Sequence, residues 1–257
     1  MKMKSFAVSR PSDKARLVCA ALNYADDISR KLGAVVQIPG GDIDARSACL
    51  RFIGFRDTLD RMLKESGAYR SAGFHNTLPF DYMDSMLPGT VIRPRGHATS
   101  EEIDPDFVIG CPWRHHWPPA DPKETMNKLN AAEPGSLDRA SYTQIGTLPL
   151  YLAGEGKNRV ELFQRHGRKI RADVTQAPFP TGVEVCRDIS GAHWLATWIN
   201  EYKVKMAAPI LFPDIAIPIY RLLGAPISTQ RVPASLDYIE DSRKEQMNSL
   251  IARVAIQ

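Results

Sequence analysis

The segment Leu150–Gly167 reads Leu-Tyr-Leu-Ala-Gly-Glu-Gly-Lys-Asn-Arg-Val-Glu-Leu-Phe-Gln-Arg-His-Gly, and this stretch decides the fold predicted for the chain. Its apolar start is typical of a short buried strand. The strand breaks at Gly154–Gly156, where glycine allows the backbone a sharp turn. A helix then begins with Lys157–Arg159 in its first turn and ends at Gly167. The next stretch, Arg168–Val174, alternates like a second strand.

The glycine turn and the start of the helix together predict a binding site for an anion. Unpaired N–H groups and the positive end of a helix dipole point to one place in such a turn. Lys157 and Arg159 add two positive charges there. The candidate phosphate- or nucleotide-binding residues are Gly154, Gly156, Lys157, Asn158 and Arg159.

This order of elements resembles the central motif of the ParB/sulfiredoxin superfamily. In that group a Gly-x-x-Arg turn opens a helix and holds the phosphates of a nucleotide. The resemblance implies that Gly156 is the motif glycine, that Arg159 binds phosphate and that Gly167 closes the helix. It covers roughly Tyr142 to Thr175 and implies an α+β fold, with a ParB/sulfiredoxin-like mixed sheet, packed helices and additional N- and C-terminal helical parts.

Three departures limit what the resemblance implies. Sulfiredoxins have a reactive cysteine where this chain has Lys157, so reductive sulfur chemistry is not implied. ParB proteins typically have Glu and Arg between the motif glycine and arginine, where this chain has Lys157 and Asn158. No helix-turn-helix region is predicted downstream, which argues against a partition role. The chain is similar to the plasmid fertility-inhibition branch.

That branch implies a plasmid-type factor that interferes with the conjugative transfer of another plasmid, through DNA or through the secretion machinery. Some relatives are associated with ATP hydrolysis and DNA cleavage. The implied cofactor is therefore ATP or another nucleotide with Mg²⁺. The implied partners are DNA or a coupling protein of a conjugative secretion system. Whether the protein is an ATPase or a DNase stays an open question. We expect it to bind its ligand in preference to catalysing a reaction.

Two further functions stay open beside this one. The first is a non-enzymatic docking inhibitor with a degenerate nucleotide site, and the second is a DNA-binding partition or regulatory protein. Glu155 is the candidate catalytic residue, because a carboxylate there would orient Mg²⁺ or a water molecule beside a phosphate. Equally, Glu155 would simply accept hydrogen bonds from the helix N-terminus.

A second candidate surface lies between prolines and consists of Trp113, Arg114, His115, His116 and Trp117. Such a loop would stack on nucleobases or on a partner protein. The alternative is a tryptophan-anchored loop that packs on the core. No third ligand accompanies the paired histidines, so no metal site is predicted.

A basic run follows the motif and includes Arg168, Lys169 and Arg171. Together with the turn, this run would extend the anion site into a track for nucleic acid. The alternative is a solvated face, because residues at helical and then strand spacing do not all point one way. The net charge of +4 permits contact with nucleic acid without requiring it.

Composition predicts a cytoplasmic globular protein. The hydrophobic content of 44% and the charged content of 24% are ordinary for a folded domain. The four cysteines are widely spaced and form no C-x-x-C pair, which indicates a reducing compartment and no zinc ribbon. We expect neither a signal peptide nor membrane insertion.

The chain is predicted to have three parts. Residues 1–70 form a helical and strand part that packs on the core, residues 71–180 form the ParB/sulfiredoxin-like core with a long proline-rich insertion, and residues 181–257 form a mainly helical part. Helices are predicted over Asp13–Leu32, Arg56–Glu65, Ser190–Lys205, Asp214–Leu223 and Asp237–Val254. Short strands are predicted over Ala34–Ile38, Thr90–Arg93 and Phe107–Ile109, with weak order from Gly67 to Gly146.

Overall fold

The structure is a computed structural model. It describes residues 44–65, 79–90, 92–110, 119–179, 182–187, 191, 194–199, 203, 205–210 and 212–231. These residues form a mixed α+β fold with two mixed sheets. The predicted fold class is therefore confirmed at this level.

The described residues contain five α-helices and nine strands. The helices are α1 (Ala45–Glu65), α2 (Pro79–Met86), α3 (Pro122–Ala131), α4 (Val160–Arg165) and α5 (Pro213–Leu222). The strands are β1 (Arg95–Ile103), β2 (Val108–Ile109), β3 (Ala140–Ile145), β4 (Tyr151–Glu155), β5 (Ile170–Ala177), β6 (Glu184–Arg187), β7 (Trp194–Ile199), β8 (Lys205–Pro209) and β9 (Ile227–Arg231). A 3₁₀ helix, Pro105–Phe107, precedes β2.

The larger sheet positions the turn. Its strand order is β1-β5-β3-β4-β2. The pairs β1–β5 and β3–β4 are antiparallel, whereas β3–β5 and β2–β4 are parallel. The chain runs from β4 through the turn and α4 into β5, which lies on the far side of β3. The turn therefore leaves the sheet at the C-terminal end of β4.

The two faces of this sheet are covered differently. Side chains alternate along a strand, so every second residue faces α3 and α4. On that face lies a compact apolar cluster that includes Tyr142, Ala153, Ile170, Met126 and Phe163. The opposite face of the sheet is polar at one end, where Ser141 and Asp173 lie. At the other end of that face, Ile145 and Leu152 belong to a larger apolar cluster.

The larger cluster joins the first sheet to the second sheet and to α1, α2 and α5. The second sheet has the order β8-β7-β6-β9. Phe55 of α1 packs against Phe212 before α5, with ring centroids 4.6 Å apart and ring planes tilted by 56°. Arg51 of α1 forms an ion pair with Asp214 of α5 at 3.3 Å. This cluster contains residues from all three predicted parts of the chain, and the division into parts stays a prediction.

Capping residues explain where two of the helices begin. The Asp44 carboxylate accepts hydrogen bonds from the backbone N–H and the hydroxyl of Ser47, at 2.9 and 2.5 Å. Asp121 accepts from the N–H of Glu124 at 3.0 Å, and Pro122 occupies the first helical position. Both patterns satisfy N–H groups that a helix start leaves unpaired.

Several predicted elements are confirmed. The strand before the turn, the helix after it and the following strand are β4, α4 and β5. The helix predicted from Asp214 to Leu223 is α5, which is shifted by one residue at each end. The helix predicted over Arg56–Glu65 is the second half of α1, which begins earlier because of the Asp44 cap. The predicted strand near Phe107–Ile109 is β2.

Other predictions are wrong. The predicted helix from Ser190 to Lys205 is not formed, because Trp194–Ile199 is β7 and pairs with β6 and β8. The predicted strand over Thr90–Arg93 is not formed, since the N–H and the hydroxyl of Thr90 both donate to the Leu87 carbonyl and close a turn.

The weak order predicted between Gly67 and Gly146 is wrong for the described residues there, which contain α2, β1, β2, α3 and β3. The predicted elements Asp13–Leu32, Ala34–Ile38 and Asp237–Val254 lie outside the described residues.

Candidate phosphate-binding site

The turn between β4 and α4 depends on one glycine. Gly156 has a φ of 78°, in the left-handed region that glycine adopts without strain. The N–H of Arg159 donates to the Gly156 carbonyl at 3.1 Å and closes the turn. Gly154 lies within β4, where an added Cβ would meet only the Ser141 carbonyl at 3.4 Å, an ordinary contact. The turn therefore requires Gly156 and does not require Gly154.

Helix α4 is shorter than predicted. It has six residues and begins at Val160, so Lys157, Asn158 and Arg159 precede it and do not form its first turn. Gly167 ends the segment with a φ of 58°, as predicted. A helix of this length has a small dipole, so the charge of the side chains counts for more at this site.

Arg159 is a buried cation at the centre of the turn. It is 8% exposed, and its Nη1 donates to the Asp138 carbonyl at 2.7 Å. Its side chain lies over Gly156, where an added Cβ would stand 2.8 Å from Nε. It forms no ion pair with any described residue. A buried charge without a counter-ion is costly, which makes this position favourable for an anion.

The electrostatic surroundings of Arg159 are mixed. Burial lowers the pKa of its guanidinium. The neighbouring groups Tyr142, Asp138 and Glu155 act in the opposite direction, while Arg139 adds to the lowering. The Glu155 side chain is exposed at the end of β4. Glu155 therefore lies near the guanidinium without forming an ion pair with it.

Two polar atoms beside Arg159 are buried without a hydrogen-bond partner. One is the hydroxyl oxygen of Tyr142, and the other is Oδ1 of Asn158. In addition, the backbone N–H groups of Lys157 and Asn158 have no acceptor among the described residues. Buried polar side-chain groups are normally paired, so the two unpaired side-chain oxygens at this turn are informative.

Gly110, at the end of β2, packs directly against the turn. A Cβ at this residue would lie 2.7 Å from the Lys157 carbonyl oxygen and 2.9 Å from the Cβ of Val160. Residue 110 must therefore be glycine because the turn approaches its Cα closely, and not because of its backbone angle. The end of β2 thus supports the Lys157–Val160 segment from one side.

The predicted basic run contacts α3. Arg168 donates through Nη2 to Oδ1 of Asn127 at 2.9 Å. Asn130 bridges the backbone of the next residues, because its Nδ2 donates to the Lys169 carbonyl and its Oδ1 accepts from the N–H of Arg171. The side chains of Lys169 and Arg171 are exposed. These contacts tie the run to α3.

A buried ion pair that the sequence did not indicate lies next to the site. Arg139 donates through Nε to Oδ1 of Asp173 at 3.1 Å, and its Nη1 donates to the carbonyls of Asn130 and Ala132. Its Nη2 also donates to the Ser100 hydroxyl. This network holds the segment that ends at Asp138, whose carbonyl binds Arg159.

Other candidate features remain as follows. The residues Trp113, Arg114, His115, His116 and Trp117 lie outside the described residues. The part of the chain that the structure describes has no group of three or more His, Cys, Asp or Glu side chains placed to bind a metal ion. None of its five helices combines the length and apolar character needed to cross a bilayer.

Comparisons of the chain with protein-family models, with curated proteins and with solved structures give no match.

Proposed function

We propose that this protein binds a phosphate group of a nucleotide at the turn formed by Gly156, Lys157, Asn158 and Arg159. The observation that carries the proposal is the buried guanidinium of Arg159, which has no carboxylate partner among the described residues. A phosphate would neutralise this charge, and it would accept hydrogen bonds from the unpaired N–H groups of Lys157 and Asn158.

ATP or another nucleotide with Mg²⁺ is the ligand that the motif supports. Glu155 is exposed near the Arg159 guanidinium, so a divalent ion bound to the phosphates would also screen the Glu155 carboxylate from them. The metal would supply charge neutralisation on the phosphate oxygens. Because Glu155, the candidate catalytic residue, is solvent-exposed, we propose binding in preference to hydrolysis of the nucleotide or of DNA.

The biological role that the Gly156-x-x-Arg159 resemblance supports is fertility inhibition. The protein would interfere with the conjugative transfer of another plasmid, by acting on DNA or on a coupling protein of the secretion machinery. The ParB/sulfiredoxin-like form of the sheet belongs to this proposal. The strand, turn, helix and strand at β4–α4–β5 have the order that the resemblance requires.

One observation favours a second candidate, a docking inhibitor with a degenerate nucleotide site. Arg159 already has a structural task, because it donates to the Asp138 carbonyl and packs over Gly156. A protein that had lost nucleotide binding would keep such an arginine. The two candidates differ in whether inhibition depends on a bound nucleotide.

Binding is tested by calorimetry and by thermal unfolding with inorganic phosphate, ATP and CTP, each with and without Mg²⁺. A ligand at a hundredfold excess over its Kd adds about 2.7 kcal/mol of stability. Arg159→Lys keeps a charge and loses the planar fork, so we expect weaker binding in a folded protein. Arg165→Ala is the matched control, because it removes an exposed charge that is paired only with Glu161.

Absence of binding to every one of these ligands by the wild-type protein would rule out the proposed site. The role in conjugation is tested by the transfer frequency of a conjugative plasmid from cells that express the protein. Unchanged transfer would contradict fertility inhibition. Inhibition that survives in Arg159→Lys after nucleotide binding is lost would favour the docking candidate.

A further inference from the structure

Tyr142 differs from the other fully buried tyrosines of the described core. Its side chain is 0% exposed, and its hydroxyl has no hydrogen-bond partner. The hydroxyl of Tyr82 donates to the Phe52 carbonyl at 2.7 Å, and that of Tyr220 donates to the Pro88 carbonyl at 2.6 Å. Burying an unpaired hydroxyl is costly, so its retention at Tyr142 needs a cause.

The position of Tyr142 relates it to the turn. It lies on β3 directly opposite Ala153 of β4, three residues before Gly156. Its side chain belongs to the apolar cluster that contains Val160 and Phe163 of α4. The hydroxyl and the guanidinium of Arg159 are close enough to influence each other's ionisation. Arg159 also donates to the Asp138 carbonyl, four residues before Tyr142, so both side chains lie near the start of β3.

We propose that Tyr142 is a ligand-binding residue, whose hydroxyl donates a hydrogen bond to an oxygen of the phosphate group held by Arg159. This assignment rests on the proposed function and adds a donor from β3 to a site otherwise built from the β4–α4 turn. Burial raises the pKa of Tyr142, so the hydroxyl keeps its proton at neutral pH and acts as a donor. The ligand class is a compact oxyanion, such as inorganic phosphate or a terminal phosphate group.

The geometry also explains why the hydroxyl lacks a partner in the protein itself. A phosphate oxygen between the two side chains would accept from the Tyr142 hydroxyl and from the Arg159 guanidinium together. Both groups donate hydrogen bonds in this arrangement. This suits an oxyanion, whose oxygens only accept hydrogen bonds. A hydroxyl bonded only to an internal water is the competing explanation, and it predicts no dependence of phosphate binding on Tyr142.

The test compares Tyr142→Phe with Tyr220→Phe in the full chain, using calorimetry with inorganic phosphate and with ATP. Each variant removes one buried hydroxyl. We expect Tyr142→Phe to weaken phosphate binding about tenfold to a hundredfold, the range for a hydrogen bond to a charged group. Its ligand-free Tm should be unchanged or higher. Tyr220→Phe should lower the Tm and keep the wild-type affinity, because it leaves the Pro88 carbonyl unpaired.

A second measurement observes the Tyr142 hydroxyl group in the wild-type protein, without removing it. Tyrosines labelled with 3-fluorotyrosine are observed by fluorine NMR, and the Tyr142 and Tyr220 resonances are assigned from the two Phe variants. We expect phosphate to shift the Tyr142 resonance and to leave that of Tyr220 in place. Wild-type affinity in Tyr142→Phe, or a Tyr142 resonance that phosphate does not move, would overturn the inference and leave the Arg159 site standing. Failure of the wild-type protein to bind phosphate would instead overturn the proposed function, and this inference with it.

Discussion

Arg159 lies so close to Gly156 that its Nε would stand 2.8 Å from a Cβ atom on that glycine. The glycine therefore has two functions in the turn. It adopts the left-handed backbone angle, and it leaves the space that the guanidinium occupies. A change at residue 156 would consequently alter both the backbone and the position of the buried charge.

Gly156→Ala is predicted to destabilise the protein by about 1–3 kcal/mol, the range for a residue held at an unfavourable backbone angle. Displacement of Arg159 should also weaken phosphate binding. The matched control is Gly154→Ala, which meets only an ordinary contact within β4 and should be neutral or slightly stabilising. Urea unfolding and calorimetry measure the two effects, and equal behaviour of the two variants would contradict the prediction.

Gly110→Ala is predicted to cost about 1–3 kcal/mol through overpacking, because the new methyl group would press on the Lys157 carbonyl and on Val160. Gly54→Ala in α1 is the control, since nothing lies within 4 Å of its added Cβ. Alanine in a helix interior should stabilise by roughly 0.5–1 kcal/mol relative to glycine. Urea midpoints of the two variants are compared with the wild type, and a neutral Gly110→Ala would contradict the close packing.

Asp214 should make the free energy of unfolding depend on pH. Burial raises its pKa above the ordinary value of 3.8, and Arg51 opposes this rise only in part. The native state therefore binds a proton more readily than the unfolded state. This group's contribution is largest below the unfolded pKa and is lost as pH rises through the native pKa. Asp214→Asn should remove that slope in urea unfolding, followed upward from about pH 4, where the unfolded carboxyl titrates.

Asp44 supplies a control with the opposite sign. Hydrogen bonds from the side chain and backbone of Ser47 lower its pKa. Its contribution is present above the unfolded pKa and is lost as pH falls through the native pKa. Asp44→Asn keeps a good N-cap residue and removes the titration. If the two substitutions removed pH slopes of the same sign from the free energy of unfolding, the assignment of the two environments would be contradicted.

Cys49 is predicted to be unreactive in the native protein. Burial raises the pKa of its thiol to about 12, and Asp44 adds to the rise. The thiolate fraction at pH 8 is then about one in ten thousand. Iodoacetamide should modify Cys49 only after the protein is unfolded in urea. Mass spectrometry of the peptide that contains Cys49 measures the extent of modification. Modification in the native protein at the rate of a free thiol would show that the site is open.

Local signals predicted the order of the elements around the turn correctly, although α4 begins only at Val160. Gly156 and Gly167 have the positive φ angles that the pattern required, and Gly224 does the same after α5. Each of these angles depends on a single residue, so sequence alone can indicate it. The turn residues and Arg159 were found in this way.

Features that depend on distant contacts were not predicted. Five of the six residues of β7 are apolar and they occur on both faces, so their pattern does not distinguish a strand from a buried helix. Six consecutive residues of β1 are exposed, and only pairing with β5 defines that strand. Tyr142 and Gly110 reach the turn from other strands, and no local pattern relates them to it.

The ion pair between Arg51 and Asp214 joins residues 163 positions apart in the chain. The Tyr220 hydroxyl likewise reaches the Pro88 carbonyl across 132 positions. During synthesis on the ribosome, α1 and α2 leave the exit tunnel long before α5 exists. The unit from β3 to β5, in contrast, is complete within one short stretch of chain. Translation therefore exposes the apolar face of α1 until the chain has been made as far as α5, while the turn at Gly156 can form earlier.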